Sequence, residues 1–262
     1  MILDINPIRC VRCGLCESVC IFDNISLEGD VHEVGNDCFK CGHCVAICPT
    51  GAINLKEYED YDTIKTKYKT DSLPVNYDDF LEVLNRRRSM RWFRKQKIEK
   101  QTYEKLFECV YNSPTATNAQ DLEFVVVSER IDEFNDMLYD ILKDHTDIHP
   151  RVVEFIKYME NNKEGKNPML WDGREVILGF STNATTTCVA AARIEIMAQI
   201  MGLGGFYNKF IVLADEFDHE KVMSFFPDID SDKHLHSAFI IGYPKKKFKR
   251  PLPKREVKIS YE

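Results

Sequence analysis

Ten cysteines occur in this chain of 262 residues, and eight of them fall within the first 48 positions: Cys10, Cys13, Cys16 and Cys20, then Cys38, Cys41, Cys44 and Cys48. A shift of 28 residues superposes the second four on the first, and with them Gly14 on Gly42, Ile25 on Ile53 and Leu27 on Leu55. Coincidence of seven positions of these types marks an internal repeat. Each copy reads C-x2-C-x2-C-x3-C with Gly directly after the second Cys. Three cysteines spaced by three, with a small residue between, let one tight loop wrap three corners of a cubane iron–sulfur cluster while its backbone N–H groups face the sulfides. The fourth Cys begins the next short helix and points away. Structural zinc instead prefers two separated C-x2-C pairs in a tetrahedral all-sulfur site. Two equal clusters in pseudo-two-fold contact would carry single electrons.

This repeat resembles the bacterial two-cluster ferredoxin run, in which the fourth Cys ligates the other cluster. The resemblance implies that Cys10, Cys13, Cys16 and Cys48 hold one 4Fe-4S cluster and that Cys38, Cys41, Cys44 and Cys20 hold the second. The second copy continues as Cys48-Pro49-Thr50-Gly51, as that family does, whereas Ile21 stands where Pro usually follows in the first. His43 lies inside the second loop and reads as a spacer.

Composition agrees with redox use of the thiols. No run approaches the ~18 apolar residues of a membrane span, and Asp4 and Arg9 interrupt the start where a signal peptide would be apolar. A cytoplasmic protein is therefore expected, and in that compartment thiols stay reduced and structural disulfides are excluded. Residues 1–60 hold 4 Lys+Arg and 10 Asp+Glu, a net of −6, against −1 for the remainder. An acidic cysteine-rich head argues against a nucleic-acid partner. With 44% hydrophobic and 29% charged residues, a sizeable core is available.

The elements that must position the chemistry divide the chain into 1–57, a polar linker over 58–76, and a second domain over 77–262. From Asp78, Phe80, Leu81, Val83 and Leu84 predict an amphipathic helix, and a second follows over 101–112. Strands are predicted at 123–128, 175–180, 210–213 and 237–242, the first of them buried. Helices are predicted at 132–145, 150–162 and 182–201. Cys109 and Cys188 read as buried core. The tail 245–258 is basic and proline-punctuated. Helices and strands interleaved without strict alternation predict an α+β layer fold on a mixed sheet.

Four pieces of this second domain resemble the FMN-dependent nitroreductase family. They are Arg87-Arg88-Ser89-Met90-Arg91-Trp92-Phe93, Ser113-Pro114-Thr115-Ala116-Thr117-Asn118-Ala119-Gln120, Met201-Gly202-Leu203-Gly204-Gly205, and Gly242-Tyr243-Pro244 followed by Lys249-Arg250. With the cysteine-rich head, they resemble ferredoxin-nitroreductase fusions of anaerobes. The resemblance implies a three-layer α/β/α domain, FMN as cofactor beside two 4Fe-4S clusters, and a homodimer with flavin at its interface. A flavin phosphate is a dianion suited to planar, permanently charged donors. By resemblance Arg87, Arg88, Ser89, Arg91, Lys249 and Arg250 would bind the phosphate and ribityl chain. Pro114, Thr115, Ala116 and Asn118 would approach the partner's flavin ring, and Gly204 and Gly205 would let backbone come close to it. The family's Pro-Trp after Gln is replaced here by Asp121-Leu122. The Gly202-x-Gly204 stretch is no Rossmann fingerprint, since Tyr207 occupies the third glycine position and a helix precedes it.

The activity implied is an oxidoreductase that takes single electrons through the clusters to FMN and reduces a small organic acceptor such as a nitroaromatic or quinone. No protein nucleophile or general base is required, and the catalytic residues are left unassigned. A low-potential donor such as ferredoxin is expected ahead of NAD(P)H. The alternative is an electron-transfer or flavin-sensing module serving a protein partner. A roomy cavity over the flavin, lined by 143–180 and the partner's 113–120 segment, would distinguish an enzyme from a relay.

Overall fold

A computed structural model describes residues 2–29, 31–35, 38–58, 73–250 and 256–262. The chain forms two compact units, Met1–Pro74 and Val75–Glu262. Most of the expected linker, 59–72, and part of the basic tail, 251–255, lie outside the described residues.

In the first unit the order is β1 (Leu3–Ile5), α1 (Leu15–Ser18), β2 (Ile25–Ser26), β3 (His32–Glu33), α2 (His43–Ile47) and β4 (Ile53–Leu55). β1 pairs antiparallel with β4 and β2 with β3. The repeat in sequence is a repeat of backbone conformation. Arg12, Gly14 and Asp23 have φ of 55°, 80° and 49°, and their counterparts Lys40, Gly42 and Gly51 have 53°, 73° and 62°. Gly14 and Gly42 open the two short helices in the left-handed region, where glycine avoids the Cβ penalty. Leu3, Ile25, Ile53 and Leu55 form the small core with Cys16.

The second unit contains α3 (Tyr77–Arg86), α4 (Lys100–Phe107), β5 (Glu123–Val127), α5 (Ile131–Leu142), α6 (Pro150–Glu160), β6 (Glu175–Ser181), α7 (Ala184–Ile200), β7 (Gly204–Tyr207), α8 (Lys209–Phe217), α9 (His219–Phe225) and β8 (His234–Gly242). The sheet order is β5-β6-β8-β7, with antiparallel neighbours. A parallel bridge from Ser89 to Gly205 extends it and makes the pairing mixed. Phe134, Leu138, Phe155, Ile211 and Val222 cover one face against Val176, Leu178 and Ile240. Tyr103, Leu106, Ile194 and Ala198 cover the other against Ile177, Phe239 and Ile241. Every residue of β6 is buried, as a central strand with both faces covered requires.

Three expectations need correction. Residues 210–213 belong to α8, whose Asn208 cap accepts the Phe210 N–H at 2.9 Å. Burial of Ile211, Ala214 and Asp215 has helical spacing, whereas four adjacent apolar residues have no period of their own. The strand before it is β7, read from sequence as a glycine stretch. Gly202 (φ 78°) ends α7 in a Schellman turn, with Leu203 N–H on Ala198 O at 2.8 Å and Gly202 N–H on Gln199 O at 3.0 Å. The strand at 123–127 is a half-buried edge. Cys188 is exposed on α7 and Cys109 half-buried, so neither is fully core.

Candidate redox-cofactor sites

The eight repeat thiols divide between two cavities in the first unit. Cys10, Cys13, Cys16 and Cys48 line one together with Gly14, Leu27 and Ile53. Cys20, Cys38, Cys41 and Cys44 line the other with Phe22, Phe39 and Leu55. The fourth cysteine of each copy does not begin the next short helix, as expected, but closes the one before it: α1 ends at Ser18 and α2 at Ile47, Cys20 N–H bonds Glu17 O at 3.1 Å and Cys48 N–H bonds Val45 O at 3.3 Å, so each leaves its own loop. Asn24 N–H reaches Cys20 Sγ at 3.2 Å, and Ala52 N–H reaches Cys48 Sγ at the same distance.

Such N–H···S bonds favour thiolate. At Cys48 burial works to raise the pKa, but the N–H bonds of Ala52 and Thr50 and the Thr50 hydroxyl outweigh it and lower it. At Cys44 burial outweighs the N–H bonds of Val45 and Cys44 and, with the neighbouring Cys38 and Cys41 thiols, pushes its thiol up to about 11. Burial raises Cys16 as well. A metal binding there must displace a proton, which iron coordinated by thiolates does. Four sulfurs around each of two cavities, with backbone donors aimed at sulfur, fit the donor set of two 4Fe-4S clusters.

In the second unit three of the four sequence motifs meet. Met90 N–H bonds Gly205 O, Arg94 N–H bonds Tyr243 O and Lys245 N–H bonds Trp92 O, each at 2.8 Å. The arginine segment is thus fixed between β7 and the strand exit at 242–245. The glycines serve this packing: a Cβ on Gly205 would lie 2.2 Å from Ile240 O, one on Gly204 3.2 Å from Met90 Cβ, and one on Gly242 2.9 Å from Phe93 Cδ1.

Along that segment Arg87 pairs with Glu195 of α7 at 3.2 Å. Arg88 Nη1 donates to Asn85 O at 2.8 Å and to Arg87 O, while its buried Nε has no acceptor. Among the described residues no carboxylate pairs with Arg91. Its guanidinium carbon lies 5.0 Å from the Phe206 ring and 5.8 Å from Trp171. Burial, with Arg151 adding its positive charge, holds it below the ordinary arginine pKa. A buried Arg88 N–H without an acceptor, and an Arg91 without a carboxylate partner on the same segment, are donors that fit an anion such as a flavin phosphate. Lys249 and Arg250 are exposed, and no hydrogen bond or ion pair among the described residues ties them to this segment.

The fourth motif lies elsewhere in the fold. Residues 116–118 form a short 3-10 turn, held by Ala116 N–H on Thr186 Oγ1 of α7 at 3.0 Å and Gln120 N–H on Thr115 Oγ1 at 3.0 Å. Thr117, Asn118 and Gln120 have φ of 51°, 55° and 52°, so this loop is strained, as functional loops often are. Pro114 and Ala116 are exposed, Thr115 and Asn118 partly so, and Ser113 Oγ is buried without a partner. Asp121, where the family resemblance broke, accepts both the Thr182 N–H at 2.7 Å and its hydroxyl at 2.6 Å.

Sequence reasoning missed the cations gathered on Trp171. Arg151 lies 4.8 Å and Lys166 4.4 Å from its ring, beside Arg91. These residues come from α6 and the loop after it, and no short motif joins them to residue 91.

Comparison with known proteins agrees with this division. Residues 84–243 match the nitroreductase family, and residues 9–53 match a 4Fe-4S dicluster domain. An uncharacterized ferredoxin of Methanocaldococcus jannaschii is 32% identical over 56 residues, 21% of this chain and 90% of the ferredoxin. A nitroreductase with bound FMN from Bacteroides fragilis superposes with a TM-score of 0.57 at 13% identity, over 72% of this chain and 100% of that one. One from Desulfitobacterium hafniense, also with bound FMN, gives 0.56 at 14%, over 71% and 99%. At such identity the structural likeness is one of fold. The family match spans more than half of the sequence, and with the dicluster match before it the chain belongs to the nitroreductase family as a fusion to a ferredoxin-type 4Fe-4S domain.

Proposed function

We propose that the protein is a homodimeric oxidoreductase that holds two 4Fe-4S clusters in its first unit and FMN in its second, accepts electrons singly from a low-potential protein donor and delivers them in pairs to a small organic acceptor. The observation that carries this reading is the division of eight thiols between two four-thiol cavities in a chain whose other unit has the nitroreductase fold. When bound, the clusters supply one-electron transfer and FMN the exchange between one- and two-electron transfer.

The chain's own residues bind, orient and shield. Cys10, Cys13, Cys16 and Cys48 would hold one cluster, and Cys20, Cys38, Cys41 and Cys44 the other. Arg88 and Arg91 would bind the phosphate, with Ser89 held against Gly205 and Arg87 shared with Glu195. Exposed apolar side chains support the homodimer: Phe80, Leu81 and Leu84 on α3, and Val189 and Ile200 on α7. Gln199 of α7 bonds Val83 O of α3, so the two helices offer them as neighbours. The exposed Pro114 and Ala116 would complete the partner's flavin site.

Anaerobic isolation followed by paired assays tests the reading. About eight iron and one FMN per chain are expected. Replacing Cys13 with Ser should abolish turnover driven by reduced ferredoxin while sparing FMN binding and turnover with a small chemical reductant, because the two units have separate cores. Unchanged ferredoxin-driven turnover in Cys13→Ser, or zinc in place of iron, would sink the proposal.

A further inference from the structure

Apart from the arginine segment, α8, α9 and β8 bring one carboxylate and two imidazoles together. Asp215, near the end of α8, is 2% exposed. Its Oδ1 lies 2.9 Å from Nδ1 of His219, the first residue of α9. Its Oδ2 lies 3.0 Å from Nδ1 of His234, the first residue of β8, and accepts the Leu235 N–H at 3.2 Å. The imidazole centroids are 4.2 Å apart. Among the described residues no lysine or arginine pairs with Asp215, although a buried carboxylate needs a compensating cation.

The hydrogen bonds around Asp215 set what kind of cation fits. Nε2 of His219 faces Ser231 O at 3.3 Å, and a carbonyl oxygen only accepts, so this contact is a hydrogen bond in the tautomer that carries its proton on Nε2. A neutral His219 then aims the Nδ1 lone pair at a carboxylate oxygen, which also only accepts. Two acceptors 2.9 Å apart require a positive centre bridging them: a second proton or a metal ion.

A metal accounts for more of the arrangement than a proton does. One ligand atom from each of the three residues falls within 4.8 Å of the other two. Each imidazole Nδ1 lies about 3 Å from one of the two carboxylate oxygens, and this spread leaves room for an ion with bonds of about 2.0–2.2 Å to nitrogen and oxygen. The carbonyl behind Nε2 is the outer-shell partner that orients a ligating imidazole. The His234 side chain is 52% exposed, which leaves an entry path and an open coordination position. Beside it, the pairing of Gly179 with Ser237 and Phe180 with Leu235 makes His236 the extra residue of a β-bulge. Its ring lies 6.2 Å from that of His234, and its Nε2 is buried without a partner.

We propose that Asp215, His219 and His234 form a three-ligand site for a divalent transition-type cation, zinc foremost, that clips α8 and α9 to the start of β8. Two imidazoles and one carboxylate select such an ion over magnesium or calcium, which take oxygen ligands. The site is independent of the cluster and flavin reading.

The test uses the full-length holoprotein prepared anaerobically, stripped with a chelator too weak to remove cluster iron, titrated with zinc sulfate and desalted. One zinc per chain is expected, with iron and flavin contents unchanged, together with a rise in thermal midpoint. His234→Ala, at a half-exposed position that the fold tolerates, should weaken zinc binding by at least the roughly 10–100-fold that loss of an outer-shell partner alone brings, and should abolish the midpoint rise. His219→Ala should do the same. Failure of the wild-type protein to retain zinc, or equal retention by both variants, would overturn the site and leave a proton as the bridge.

Discussion

Replacing Arg88 with Ala isolates the anion-binding role of the arginine segment from its structural one. In the free protein the side chain donates to Asn85 O and Arg87 O, and its buried Nε has no acceptor. Each carbonyl bond contributes about 0.5–1.5 kcal/mol net, while a buried unsatisfied donor costs about 1–3 kcal/mol. These terms nearly cancel, so the stability of the flavin-free protein should change by no more than about 1 kcal/mol. Binding of FMN adds a charge-assisted bond worth about 1.5–3 kcal/mol, which the variant cannot form, so its Kd should rise about 10–150-fold. Arg88→Lys should recover only part of this, because an ammonium lacks the planar fork. Quenching of flavin fluorescence gives the affinities, and urea midpoints measured in parallel give the stabilities. An unchanged FMN affinity at unchanged stability would refute the assignment of the orphaned Nε to the phosphate.

Three further outcomes are expected of the second unit. Gly205→Ala should destabilise it by about 1–3 kcal/mol in urea unfolding, since the new methyl would meet the Ile240 carbonyl, which is backbone, and the Phe239 ring; wild-type stability would contradict this. Asn183→Ala removes the cap that accepts Thr185 N–H at 3.0 Å and Thr186 N–H at 3.2 Å, at a cost of about 0.5–2 kcal/mol, and Asn183→Asp should restore most of it. At Asp121 burial works to raise the pKa, but the Thr182 hydroxyl and N–H outweigh it and hold the folded-state value below the ordinary one. Its contribution is therefore complete above the ordinary carboxylate pKa and is lost as pH falls through the lowered value. Asp121→Asn should flatten the acid limb of the stability curve, and an identical limb would show that Asp121 has no part in it.

Local periodicity carried the legible part of this protein. The 28-residue cysteine repeat reappears as matching left-handed residues and matching N–H···S bonds in both copies, because turns, short helices and glycine positions depend on residues only a few places apart. The helices at 77–86 and 184–200 and the strand at 175–181 were readable for the same reason. Where local signals conflicted, the tertiary structure decided. Phe210 to Leu213 joined a helix because Asn208 caps it, donating to Met169 O at 2.8 Å from 39 positions away, and the short Gly204–Tyr207 strand exists because Gly205 alone lets β8 approach. The assembly of Arg91, Arg151, Lys166 and Trp171, and that of Asp215 with His219 and His234, left no mark in spacing. Sheet order and side-chain packing join such distant positions, and neither is encoded in the spacing of neighbouring residues.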